Sequence, residues 1–206
     1  MFLLKFLVDM KRGQKTGFFL DQRENRKMVE GLARGRKTLN CFAYSGGFSV
    51  YAANGGAVSV TSVEIQKKAV DLLHRNLELN GLSEASGEVI CEDVFEFLRR
   101  DTRDYDLIVL DPPAFCHHKS EVMKASRGYK DINLYAMKRL SPGGLLFSAS
   151  CSAFITPELF QKIVFGAAKD AGRQVQIIKK TSHPFDHPIN IYHPEGEYLK
   201  GFLCQA

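Results

Sequence analysis

Short apolar, β-branched runs alternate with amphipathic stretches along most of the chain. Period-2 and continuous apolar runs predict strands at residues 38–43 (TLNCFA), 57–64 (AVSVTSVE), 87–93 (GEVICED), 105–111 (YDLIVLD), 144–150 (GLLFSAS) and 174–180 (QVQIIKK). A last strand is expected at 198–205 (YLKGFLCQ). Between them, helical spacing points to helices near 47–54, 66–80, 94–100, 127–140 and 157–171. Upstream, Met28, Val29, Leu32 and Ala33 recur at helical intervals within 22–34. The opening MFLLKFLVDMKRG reads as a strand, and GQKTGFFLD as a hairpin. Short apolar strands separated by helices predict a mostly parallel sheet covered on both faces. Neither repeat nor linker interrupts the pattern, so one domain over 1–206 is expected, with 1–35 as an extension packing on it.

Composition narrows the class. The longest apolar stretches fall well short of the roughly 18–20 residues that cross a bilayer, and no cleavage site follows the first residues, so neither a membrane span nor a signal peptide is expected. The five cysteines form no CxxC pair, which argues against a disulfide framework or a zinc site and suits a reducing cytoplasm. Cys116, His117 and His118 are adjacent on an extended chain and point apart. His183, His187 and His193 alternate with prolines in a loop, where they suit a structural or substrate-shaping role, and no metal is expected. A net charge of +5 adds a mild bias toward polyanions.

In such a sheet ligands bind beyond the carboxyl ends of the strands. The first expected strand ends in CFAYSGGFS, where Tyr44, Ser45, Gly46 and Gly47 make a turn that brings backbone close to a ligand. The spacing is not GxGxxG, which weakens a dinucleotide. The second ends in Glu64, a carboxylate able to accept from both hydroxyls of a ribose. The third ends in Asp93-Val94, where Asp93 suits an adenine amino group or, equally, the cap of the next helix. The fourth delivers Asp111 and then Pro112 and Pro113, which hold an extended loop open, with Phe115 available to stack on a base. Arg127, Tyr129 and Lys130 in SRGYKDIN offer phosphate contacts and a stacking ring. Just past the fifth strand, Cys151 stands between two serines.

The segments GQKTGFFLDQRENR, LNCFAYSGGF, VLDPPAF, SRGYKDIN, SCS and HPEGEYLKGF, in this order, resemble the catalytic domain of large-subunit (23S) ribosomal RNA methyltransferases that make 5-methylcytosine, the RlmI-like family. The resemblance covers residues 8–203 and implies a class I S-adenosylmethionine-dependent, Rossmann-like fold, α/β, with a seven-stranded, mostly parallel sheet and an antiparallel last strand, here preceded by the hairpin and helix. It implies that the turn 44–47 holds the methionyl part of S-adenosylmethionine, Glu64 the ribose, and Asp93 and Val94 the adenine. It also implies that Asp111 borders the cofactor and that Lys15, Thr16, Phe18 and Phe19 fold over it. Glu64 replaces the family's usual Asp and Ala114 its usual Lys. The family carries an RNA-binding domain and a small linking domain ahead of the catalytic part, and this chain is expected to begin after them.

Carbon 5 of cytosine is a poor nucleophile, so its methylation needs a thiolate at carbon 6. Cys151 is the candidate nucleophile and Asp111 the group on the cytosine edge. The implied partner is ribosomal RNA, presented single-stranded or with a flipped base. A homodimer remains open. Two other readings stand beside this one: a nitrogen methyltransferase on guanine or adenine, and a non-catalytic module that binds S-adenosylmethionine or RNA.

Overall fold

The computed structural model describes residues 3–11, 13, 14, 16–83, 87–193 and 196–206. Seven strands form one mixed sheet in the order β3-β2-β1-β4-β5-β7-β6. They are β1 (Lys37–Cys41), β2 (Ser59–Glu64), β3 (Val89–Cys91), β4 (Tyr105–Leu110), β5 (Leu140–Ser150), β6 (Gln176–Thr181) and β7 (Lys200–Gln205). The helices are α1 (Arg23–Leu32), α2 (Gly47–Asn54), α3 (Lys67–Leu79), α4 (Val94–Arg100), α5 (Val122–Lys138) and α6 (Pro157–Asp170). Parallel pairing joins β1 to β2, β2 to β3 and β4 to β5, whereas β7 runs antiparallel to both β5 and β6. No helix among the described residues is long and apolar enough to cross a membrane. Two compact units are distinguished, Met1–Val94 and Phe95–Ala206.

In the first unit β1 and β2 are buried along nearly their whole length, as strands covered on both faces must be. Among the described residues, the expected amino-terminal strand and hairpin do not form. Residues 3–9 have no regular secondary structure and join no sheet. Two asparagines one turn apart, Asn76 on α3 and Asn80 at its carboxyl-terminal cap, take the place of a neighbouring strand. Asn80 accepts from Lys5 N and donates to Lys5 O, at 2.9 and 2.8 Å. Asn76 accepts from Leu7 N at 2.7 Å and donates to Leu7 O at 3.3 Å. A primary amide offers donor and acceptor side by side, so it satisfies both main-chain groups of an extended residue. Leu4 and Phe6 then pack against Ala43, Val50, Leu73 and Leu77. The residues meant for the hairpin form turns instead, with Gly17 N bonded to Gln14 O.

In the second unit β4 and the carboxyl half of β5 are continuously buried. Thr156 caps α6 by accepting from Leu159 N, with Pro157 at the first helical position, where a missing N–H costs nothing. The edge strand β6 exposes Lys179 and Lys180, which discourages pairing with other chains. Helix α5 starts five residues before its expected position. Ser126 resembles a cap in sequence, but its hydroxyl donates back to Val122 O at 2.7 Å inside the helix. A 3-10 turn, Lys119–Glu121, leads into the helix, boxed by Glu121, whose carboxylate accepts from His117 N and His118 N and whose pKa is lowered by those two bonds.

Candidate functional site

The first unit gathers most of the residues expected around a cofactor. The chain leaves β1 through backbone of alternating hand: Phe42, Tyr44 and Gly46 all have positive φ, at 59°, 46° and 84°. Left-handed backbone costs a non-glycine residue roughly 1–2 kcal/mol, so two such residues in three signal a turn held by its surroundings. Glu64, buried at the end of β2, supplies that hold. Its carboxylate accepts from Tyr44 N at 2.9 Å and from Gln66 N at 2.8 Å. Gly46 is required twice over, by its φ and because a Cβ there would stand 2.7 Å from Leu73 Cγ. Gly46→Ala is expected to lower stability by roughly 2–4 kcal/mol in urea denaturation, combining left-handed strain with overpacking.

The segment expected to fold over the turn does reach it. Tyr44 Oη accepts from Gln14 N at 3.0 Å and donates to Gly17 O at 3.4 Å. Phe19 meets the Tyr44 ring edge-on, with centroids 5.6 Å apart. Phe18 lies under the guanidinium of Arg26, which is buried and donates to Phe19 O at 2.6 Å. Thr16 is exposed and bonds only locally, to Phe18 O. Lys15 lies outside the described residues. Asp93 is half-buried past the end of β3, and Val94 is buried at the start of α4. A cavity of about 700 Å³ opens between residues 7–14 and α3, bordered by Lys11, Gln14, Tyr44, Gln66, Lys68 and Arg75. None of Ser45, Gly46, Glu64 or Asp93 lines it, so it lies beside these residues rather than over them.

The turn and Glu64 fit S-adenosylmethionine. Ser45 Oγ is buried and has no partner among the described residues, a polar atom left for a ligand. A Cβ at Gly47 would crowd Arg26 and Phe18 at 3.2 and 3.4 Å, so glycine there lets those side chains pack close against the turn.

The second unit organises Cys151. Cys151 is half-buried, and its thiol points to Pro112 O at 3.8 Å, joining the loop after β5 to the Asp-Pro-Pro loop after β4. Both flanking serines turn inward. Ser150 Oγ donates to Tyr129 Oη at 3.0 Å, and Tyr129 Oη bonds Ser152 Oγ at 2.9 Å. Ser152 N closes the ring onto Ser150 Oγ at 3.3 Å, and Ser152 Oγ also accepts from Cys116 N. Below them Lys200 Nζ donates to Ser152 O and Ile155 O, each at 2.6 Å. The outcome is a braced loop whose thiol faces the Asp-Pro-Pro loop. Burial keeps the phenol of Tyr129 neutral, with its pKa pushed up to about 12. Burial lowers Lys200 to about 8 from 10.5, so the unfolded chain binds this proton more tightly and Lys200's contribution to stability rises with pH across that interval.

Two expected RNA contacts need correction. Tyr129 is fully buried, with 0% exposure, between Phe115 and Phe160, so its ring is not available to stack on a base. Its hydroxyl braces the cysteine loop instead. Tyr129→Phe is expected to cost about 1–3 kcal/mol, because Ser150 and Ser152 each lose a buried partner. Thermal denaturation beside Phe115→Leu would check this. Lys130 is tied to Asp170 of α6 at 2.7 Å rather than standing free for phosphate. Arg127 and Pro113 are exposed, and Asp111 and Phe115 half-buried, whereas Pro112 is buried. Phe115 packs on Phe95, with centroids 5.8 Å apart.

The other thiols are placed for packing. Cys116 and Cys204 are buried, and burial raises both pKa values, that of Cys204 to about 12. Cys91 is exposed and points to Ile65 O. No group able to hold a metal is found among the described residues. Ser150, Ser152, Arg26 and Lys200 were missed in the sequence. Lys200 left a trace as the lone charge in the apolar run YLKGFL, and the two serines only as the neighbours of Cys151.

The chain is similar to known proteins in sequence and in fold. The chain is 48% identical to ribosomal RNA large subunit methyltransferase I of Aeromonas hydrophila, over 98% of this chain and 52% of that protein. It therefore spans about half the length of the curated relatives it matches. A solved protein of Streptococcus mutans assigned as a SAM-dependent methyltransferase superposes with a TM-score of 0.85 at 31% identity, covering 98% of this chain and 53% of that one. A methyltransferase structure in complex with SAH gives 0.84 at 32% identity, with coverage of 98% and 53%. The sequence profile of the S-adenosylmethionine-dependent methyltransferases matches residues 2–189, a span that takes in the glycine turn, Glu64, the Asp-Pro-Pro loop and Cys151. That match makes the chain a member of the S-adenosylmethionine-dependent methyltransferase family.

Proposed function

We propose that this chain is the catalytic part of a ribosomal RNA methyltransferase that methylates carbon 5 of cytosine in large-subunit RNA, with Cys151 as nucleophile. The observation that carries the reading is the braced Ser150-Cys151-Ser152 loop, whose serines face inward while the thiol faces Pro112 O. A nitrogen methyltransferase has no use for a thiol held in this way. The name of the Aeromonas hydrophila relative supports the RNA class.

Tyr44, Ser45, Gly46, Gly47 and Glu64 would hold the cofactor, with Asp93 and Val94 at its adenine. When bound, the cofactor supplies an electrophilic methyl group. A flipped cytosine would enter over the Asp-Pro-Pro loop, where Asp111 hydrogen-bonds its edge and favours a proton on N3. The Cys151 thiolate adds to carbon 6, forming a carbon–sulfur bond and moving electron density to carbon 5, which takes the methyl group. A base then removes the carbon 5 proton, and the electron pair returns to expel the thiolate. Tritium release from RNA carrying 5-tritiated cytosine tests the reading. Release equal to methyl incorporation is expected. Methyl incorporation without release, recovered on guanine or adenine, would overturn it.

A further inference from the structure

We propose that Lys200 is the positioning residue of the Cys151 loop and that its positive charge favours the thiolate. The inference rests on the reading of Cys151 as the nucleophile. Lys200 is the first residue of β7, opposite Ser150 in antiparallel register, so its side chain rises at the root of the Ser-Cys-Ser loop. It is 4% exposed, and both its described hydrogen-bond acceptors are neutral carbonyls, those of Ser152 and Ile155. A buried ammonium whose described acceptors are neutral carbonyls is only partly compensated by them for lost hydration. A primary amide, with two N–H donors, would fasten two carbonyls without that cost, so fastening alone does not explain a lysine here.

What the charge adds is a field at the thiol. Desolvation is the largest influence on Lys200, and attraction to Cys151 opposes it. The attraction is mutual: a thiolate that favours the ammonium is itself favoured by it. With a pKa of about 8, Lys200 is mostly protonated at pH 7. Among the described residues, the other ionisable groups around the loop are Tyr129 from α5, neutral at this pH, Cys116, whose thiol burial keeps protonated, Asp111 beside the Pro112 carbonyl that faces the thiol, and exposed Glu197 ahead of β7. The two carboxylates work against the thiolate, which leaves Lys200 as the buried cation offsetting them.

The test compares wild type, Lys200→Met and Lys200→Gln. Glutamine keeps donors for the two carbonyls and loses the charge, and methionine loses both. The rate of iodoacetamide alkylation at Cys151, resolved by peptide mass spectrometry, is followed from pH 5 to pH 10, with circular dichroism and SAH calorimetry verifying the fold of each variant. Loss of the charge is expected to move the alkylation midpoint up by about one pH unit in both variants, slowing alkylation at pH 7 about tenfold. Methionine should add a lowered melting temperature that glutamine largely restores. Identical midpoints in wild type and folded Lys200→Gln would overturn the proposal, whatever the melting temperatures. Alkylation reports on Lys200 whether or not Cys151 acts on RNA, and tritium release by Cys151→Ser reports on the nucleophile alone, so the two failures are told apart.

Discussion

Cys151→Ser is expected to abolish tritium release from 5-tritiated cytosine RNA, by on the order of 10³-fold or more, the scale on which loss of a covalent nucleophile is felt. The replacement is nearly isosteric. Tyr129, Ser150, Ser152 and Lys200 retain every bond that braces the loop, because none of those bonds runs through the thiol. A hydroxyl in the thiol's place has far too high a pKa to supply an anion at neutral pH, so the chemistry fails while the fold stands. SAH affinity, assigned to residues of the first unit, should stay within about twofold of wild type in calorimetry. RNA containing 5-fluorocytosine adds a second readout. Fluorine cannot leave as a proton does, so wild type should accumulate a covalent complex on a denaturing gel, and the serine variant should form none. Undiminished tritium release by the variant would remove Cys151 from the mechanism.

Glu64→Ala should have the next largest effect, on both stability and cofactor binding. The carboxylate is buried and accepts from two backbone amides, and truncation leaves Tyr44 N and Gln66 N without their partner. A buried unsatisfied donor costs about 1–3 kcal/mol, so a loss of roughly 2–4 kcal/mol is expected in urea denaturation. The turn it restrains contains two left-handed non-glycine residues and would relax without it. If Glu64 also accepts from the ribose, charge-assisted bonds worth about 1.5–3 kcal/mol disappear as well, weakening SAH binding on the order of 10- to 100-fold. Glu64→Asp separates the two roles. One methylene shorter, aspartate should keep ribose affinity within a few-fold, as the family's usual residue does, while holding the two amides less well. Calorimetry of both variants against their unfolding curves would show whether affinity and stability move together or apart.

The limits of the sequence reading have physical causes. The strand pattern located β1, β2, β4, β5 and β7 because burial leaves a nearly continuous apolar run, and the more exposed edge strands β3 and β6 through their β-branched residues. The amino-terminal segment carries a similar run without being a strand, because its main-chain partners are the amides of Asn76 and Asn80, some seventy residues away. Local hydropathy does not distinguish a sheet neighbour from a side chain that imitates one. Tyr129 was misplaced for a related reason. Flanked by Arg127 and Lys130, it has the neighbours of a surface ring, yet it falls on the inner face of α5, while Lys130 is drawn to Asp170.

By itself, the sequence determined which groups end the strands: the glycine turn, Glu64, Asp111 with its prolines, and Cys151. Those identities depend on periodicity and on turn chemistry, both short-range properties that neighbouring residues encode. Only the tertiary structure decided how those groups are held. Glu64 restrains the turn through two amides, the serines fold under the thiol, and Lys200 stands behind it from the far end of the chain. Each of these depends on contacts between residues distant in sequence, formed once the sheet has fixed its register, and no local pattern records them.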